Sequence, residues 1–291
     1  MELRSFASAA DFLRVTEGFL AERGAEDNLI WGVAHELTQR EPRSGLPPYW
    51  AAVLDGERVI AAAMRTPPHP LVITRTTDEA LKILADDLER RGVEPSGVTA
   101  ETGVAKRFAA MWSARTGRGF RMWMNHTIYE LRQIKESARV SGRCRVAQKA
   151  DTERVWDWWG RFEDEAMGAD AERASHEVLE TYIRQKRVYF WEDTEPVSLA
   201  VVVRKLPRWG CVGGVYTPPE QRGRGYASAC VGAVCEYLLA EGSEFVCLFA
   251  DRDNPISNHL YQKIGFRPLV DGVIFRFTAR EERPRELVGE K

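Results

Sequence analysis

The stretch Arg187–Leu206, RVYFWEDTEPVSLAVVVRKL, places two apolar, β-rich runs on either side of a short polar turn, which predicts an antiparallel hairpin. Next, GCVGGVYT (Gly210–Thr217) predicts a third strand, broken by Pro218 and Pro219. A helix is expected from about Gly225 to Ala240, where Gly242 ends it, followed by a strand at EFVCLFAD (Glu244–Asp251). PISNHLYQKIG (Pro255–Gly265) then reads as a short helix, and FRPLVDGVIFRF (Phe266–Phe277) as a closing hairpin around an Asp-Gly turn. Upstream, Lys149–Ala166 and Ala174–Lys186 read as helices.

The first half follows a looser version of the same order. Tyr49–Thr66 predicts a hairpin, Pro70–Thr74 a strand and Thr76–Gly92 a helix. TAETGVAKRFAAMWSARTG and FADRDNPISNHLYQKIG are each followed by a β-rich run, which suggests two copies of one fold. The polar, aromatic-free stretch near Gln133–Arg143 reads as a connection. The expected domains are therefore 1–134 and 143–291, with a linker at 135–142.

Composition narrows the function. The 291 residues carry 41 basic and 43 acidic side chains that are interspersed, so no footprint for nucleic acid or an anionic membrane stands out. Five cysteines without C-x-x-C spacing imply free thiols in a reducing cytoplasm, and no stretch has the length of a membrane span. The histidines show no ligand spacing, so no metal is expected.

The candidate chemistry lies in PPEQRGRGYASA, Pro218–Ala229. A strand that turns through glycines directly into a helix leaves the first helical N–H groups unpaired, with the positive end of the helix dipole behind them. Gly223 and Gly225 allow phosphate oxygens to approach the backbone, and Arg222 and Arg224 add charge nearby. A Walker loop is excluded because there is no lysine, and a hydrolase elbow because the glycine spacing is wrong. A dinucleotide loop nearly fits Gly223, Gly225 and Ser228, with Asp251 as a ribose ligand. Against it, the chain after Asp251 is too short for the further βα units of a doubly wound sheet.

RGRGYA, Arg222–Ala227, and NPISNHLYQKIGF, Asn254–Phe266, together resemble two signatures of the GNAT superfamily of N-acetyltransferases. The resemblance implies an α/β (α+β) architecture of two GNAT-like domains, each a mixed, mostly antiparallel twisted sheet flanked by helices. In the C-terminal copy it implies that the fourth and fifth strands splay apart. It also implies that acetyl-CoA is the acyl donor and an amine the acceptor, with the pyrophosphate on the amides of Arg222, Gly223, Arg224, Gly225, Tyr226 and Ala227. Val215, Tyr216 and Thr217 would face the pantetheine arm and the thioester carbonyl, where an N–H stabilises an oxyanion. Asn254, Ser257 and Asn258 would contact other parts of CoA, although helix capping alone also accounts for Asn254. Tyr261, one turn after Ser257, would donate a proton or hydrogen bond to the departing thiolate.

No general base is identified; Glu163, Asp164, Glu165 and Asp251 are the available acids. In the first half RTTDEA replaces the glycine loop, which predicts a degenerate copy. Two other functions remain open: a non-catalytic acyl-CoA-binding module and a nicotinamide oxidoreductase.

Overall fold

The computed structural model describes residues 1–40, 45–135, 140–168 and 173–280. In chain order the elements are β1 (Glu2–Ser5), α1 (Ala9–Arg23), α2 (Asn28–Glu36), β2 (Tyr49–Asp55), β3 (Arg58–Arg65), β4 (Leu71–Ile73), α3 (Asp78–Arg90), β5 (Gly97–Glu101), α4 (Thr102–Thr116) and β6 (Arg118–Leu131). The same order then recurs as β7 (Arg143–Val146), α5 (Thr152–Met167), α6 (His176–Arg184), β8 (Val188–Glu192), β9 (Pro196–Leu206), β10 (Trp209–Tyr216), α7 (Tyr226–Ala240), β11 (Phe245–Asp251), α8 (Pro255–Ile264) and β12 (Arg267–Arg280). This is a mixed α/β architecture written twice.

The compact units interleave rather than dividing the chain into contiguous halves. One comprises Met1–Glu22, Leu29–Asn125 and the chain from Gly272; the other comprises Arg23–Asn28 and His126–Asp271. Of the linker expected at 135–142, residues 136–139 lie outside the described residues.

In the first unit β1, β2, β3 and β4 pair antiparallel in succession, and β4 pairs parallel with β5. The sheet continues with Gly272–Arg276 of β12, antiparallel to Glu101–Gly97. The expected hairpin around Asp271-Gly272 is therefore absent: β12 is one continuous strand. A tight turn competes with cross-strand pairing for the same backbone groups, and here β5 supplies a full ladder to the second half of the run. α3 and α4 bury Leu84, Leu88, Phe108 and Trp112 against Leu71, Val98 and Phe275.

In the second unit His126–Leu131 pairs antiparallel with Asp251–Val246 of β11, and β11 pairs parallel with β10. β10, β9, β8 and β7 follow in antiparallel order. Alternation along β9 sends Ala200 and Val202 to the face covered by α7 and α8, and Leu199 and Val201 to the face covered by α5 and α6. On α5 the inward positions are Val155, Trp158, Trp159 and Glu163, the spacing of one helical face.

Candidate functional site

β10 and β11 pair only from Trp209–Phe245 to Val212–Leu248, so their far ends run on without a mutual ladder. There β10 is also bulged against β9: Gly213 pairs with Val201 and Tyr216 with Leu199, which leaves Gly214 and Val215 opposite one residue. Gly214 has φ +56°, and a Cβ there would lie 2.4 Å from Trp159 Cζ3, so conformation and packing both demand glycine. Val215 packs toward the α7 face, while Tyr216 is buried among Trp158 and its neighbours on the opposite side. Thr217 Oγ1 lies 2.9 Å from Ser198 Oγ.

The chain then turns through Pro218–Gln221 into the glycine loop, with φ +78° at Gly223 and +84° at Gly225, the N-cap of α7. Among the described residues no hydrogen bond runs from the amides of Gly223, Arg224, Gly225, Tyr226, Ala227 or Ser228; the first helical bond is Ala229 N–H to Gly225 O. Gly223 is open: its chain neighbours aside, no atom of the described residues comes within 4 Å of where a Cβ would sit. Unsatisfied amides at the positive end of a helix of 15 residues form an anion cradle made of backbone.

The side chains beside this cradle act differently from the sequence expectation. Arg222 does not lend its charge freely. Its Nε donates to Thr217 O at 2.9 Å, and its Nη2 donates to both oxygens of Glu165, at 2.9 and 2.7 Å. Arg224 is exposed and forms no ion pair among the described residues. The Tyr226 ring is buried, and its hydroxyl donates to Asp193 Oδ2 at 3.1 Å, which anchors the start of α7 to the β8–β9 turn.

Asn254 caps α8: its Oδ1 accepts the Ser257 amide at 3.1 Å, and Pro255 occupies the first helical position. Ser257 Oγ donates back to Asn254 O at 3.1 Å. The Asn258 side chain is spent inside the protein. Its Nδ2 donates to Asp251 O and Asn254 O at 2.9 and 2.8 Å, and its Oδ1 accepts from Tyr129 Oη at 3.1 Å.

Tyr261, in the α7–α8 core, is only 8% exposed. Its hydroxyl has no hydrogen-bond partner among the described residues, and burial, helped by Cys235, pushes its pKa up to about 12. The phenol therefore stays protonated at any ordinary pH and has a donor to offer.

Residues 152–266 match the sequence profile described as the acetyltransferase (GNAT) family. This stretch is a GNAT acetyltransferase domain. No curated protein matches the sequence. Among solved structures, a GNAT-family acetyltransferase from Colwellia psychrerythraea is similar at 12% identity and TM-score 0.58, covering 95% of this chain and 99% of that one. A GCN5-related N-acetyltransferase from Sphaerobacter thermophilus is similar at 16% identity and TM-score 0.60, with 94% and 95% covered. A tandem GNAT protein from the clavulanic acid biosynthesis pathway is similar at 15% identity and TM-score 0.54, with 97% and 100% covered. At these identities the likeness concerns the fold, and the fold is that of the GNAT acetyltransferases.

The corresponding connection in the first unit is built differently. Between β4 and α3, Thr77 caps the helix by accepting the Ala80 amide at 3.3 Å, and Asp78 and Glu79 fill the first turn. Two carboxylates in the first turn, one of them paired with Arg107, disfavour an anion at this helix start. Trp31, Trp50 and Trp112 are buried.

Of the four acids considered as a base, Glu163 is 5% exposed and its Oε1 accepts from Trp159 Nε1 at 2.7 Å and from the Ala174 amide at 2.9 Å. Asp164 pairs with Arg173 and Glu165 with Arg222. Asp251, exposed at the end of β11, accepts the Asp253 amide at 2.9 Å. In register beside it stands His126, 5% exposed, whose pKa burial lowers to about 4 against the opposing pull of Asp271. Glycine and proline punctuation exposes the cradle in the sequence; nothing local announces Asp193, Ser198 or His126.

All five cysteines are free thiols. Among the described residues no helix is long and apolar enough to cross a membrane, and no group of three or more His, Cys, Asp or Glu side chains is placed to hold a metal ion.

Proposed function

We propose that the second unit is a cytoplasmic N-acetyltransferase that uses acetyl-CoA as donor and a small-molecule or peptide amine as acceptor. The observation that carries this reading is the run of amides from Gly223 to Ser228 that have no partner among the described residues. Backbone N–H groups with no protein acceptor, set on a helix N-terminus and opened by two left-handed glycines, suit a diphosphate. An acyl-CoA held there supplies a thioester-activated acyl group.

The rest of the chemistry belongs to this chain's own residues. The bulge frees the Val215 region of β10 from regular pairing beside the open end of β11, where an N–H can meet charge developing on a carbonyl oxygen. Tyr261 Oη offers its hydrogen to a leaving sulfur. With its pKa at about 12 against about 8.5 for a thiol, full proton transfer costs about 5 kcal/mol, so Tyr261 acts chiefly as a hydrogen-bond donor. Asn254 and Asn258 serve by holding the start of α8 in place, through the cap and the Asn258 bridge to Asp251 O. Arg222 contributes its amide rather than its charge.

Calorimetry with CoA, acetyl-CoA and NAD(P) tests the cradle. Binding of CoA and acetyl-CoA without NAD(P) is expected, and the reverse overturns the reading. A non-catalytic acyl-CoA-binding module draws support from the three α5 acids, each already bonded within the protein. Release of free CoA thiol over a panel of amines separates it from the enzyme.

A further inference from the structure

Arg222 joins three separate pieces of backbone. Its Nε holds the carbonyl of Thr217 just past β10, its main chain leads into the amide turn, and its Nη2 closes on both oxygens of Glu165 in the last turn of α5. α5 lines a cleft of 280 Å³ through Trp156, Trp159, Gly160 and Glu163, and Trp159 packs on the Gly214 bulge. The helix therefore touches β10 at one level and the turn at another.

We propose that Glu165 and Arg222 are a positioning pair that couples occupation of the amide turn to the setting of α5, so that acyl-CoA and acceptor affinities depend on each other. The inference rests on the acyl-transfer reading and names the physical link between its two substrates. The planar guanidinium suits this role: Nη2 alone reaches both oxygens of Glu165 while Nε holds Thr217 O, so two nitrogens of one rigid plane are fixed at once, which a lysine's single nitrogen cannot reproduce. The Nε bond to Thr217 O prevents the guanidinium from rotating freely. Side-chain exposures of 47% and 50% mean that the pair adds little to the stability of the fold. Even so, an interaction of this class is sufficient for a coupling of about fivefold, which by linkage acts in both directions.

The test uses the full chain, with CoA as the probe. Hydrogen exchange over Phe162–Met167 is followed with and without CoA in the wild type, Glu165→Gln, Arg222→Lys and the double variant, alongside calorimetric CoA affinities. CoA is expected to slow exchange in this turn about fivefold in the wild type and not in the variants. Each single variant should weaken CoA binding by about fivefold, and the double variant no further. Salt at about 1 M should bring the wild type to the level of the variants. Unaltered protection in the variants, or additive losses in the double variant, overturns the coupling while leaving CoA binding intact. Failure of the wild type to bind CoA overturns the acyl-transfer reading and the coupling with it. A fall in melting temperature of more than about 4 °C in both single variants assigns the pair to the fold and likewise overturns the proposal.

Discussion

The indole of Trp159 lies against Gly214 so closely that a methyl group on the glycine would sit 2.4 Å from Cζ3. Gly214 also has a left-handed backbone, φ +56°. Gly214→Ala should therefore cost about 2–4 kcal/mol through overpacking and strain together. Urea unfolding measures the loss, and a value below about 0.5 kcal/mol would mean that the bulge relaxes at no cost.

Gly225→Val attacks the cradle rather than the core. A β-branched residue at φ +84° must move the backbone, which redirects the amides at the start of α7. CoA affinity should fall at least about 10-fold while the circular dichroism spectrum is kept. Retained affinity would place the anion elsewhere.

For Tyr261→Phe the expected effect is a fall in kcat of up to about 10²-fold with little change in the KM for acyl-CoA. Because the phenol titrates at about 12, the wild-type rate should show no tyrosine limb below about pH 10. Unchanged turnover in the variant would reduce Tyr261 to a packing role against Phe266 and Tyr129.

His126 makes the fold sensitive to acid. Burial lowers its pKa from 6.5 to about 4 in the folded protein, so the unfolded chain binds the extra proton first. Stability from this group is complete above pH 6.5 and is lost as pH falls toward 4, by about 3 kcal/mol in total. His126→Gln should flatten the dependence of unfolding free energy on pH across that window. An unchanged slope would show that another group carries it.

The parts of the site that were legible in the sequence are those written locally. Gly223 and Gly225 before α7, and Asn254-Pro255 before α8, encode backbone conformation and capping within a few residues, and the structure carries both. The hairpins β2–β3 and β8–β9 were equally plain from β-rich runs on either side of a short polar turn. What escaped was set by distant chain. Glu165 and Arg222 are 57 positions apart, and their pairing engages a side chain that the local sequence reads only as charge beside the loop. Asp271-Gly272 has the chemistry of a tight turn, yet β5 holds it extended. The short β1 and β7 and the helices α1 and α2 lacked a pattern strong enough to mark them.

Strand exchange in the chain's connectivity has a consequence for biosynthesis. Gly272–Arg276 extends the sheet containing β5, while His126–Leu131 extends the sheet containing β11. Neither layer is complete until β11 and β12 have been translated, so a ribosome-bound nascent chain carries an open β5 margin until Gly272–Arg276 emerges. A cut between β6 and β7 would yield one fragment with β5 uncovered and another with β11 uncovered, both inviting aggregation. The protein is thus committed to maturing as a single piece, although its plan repeats.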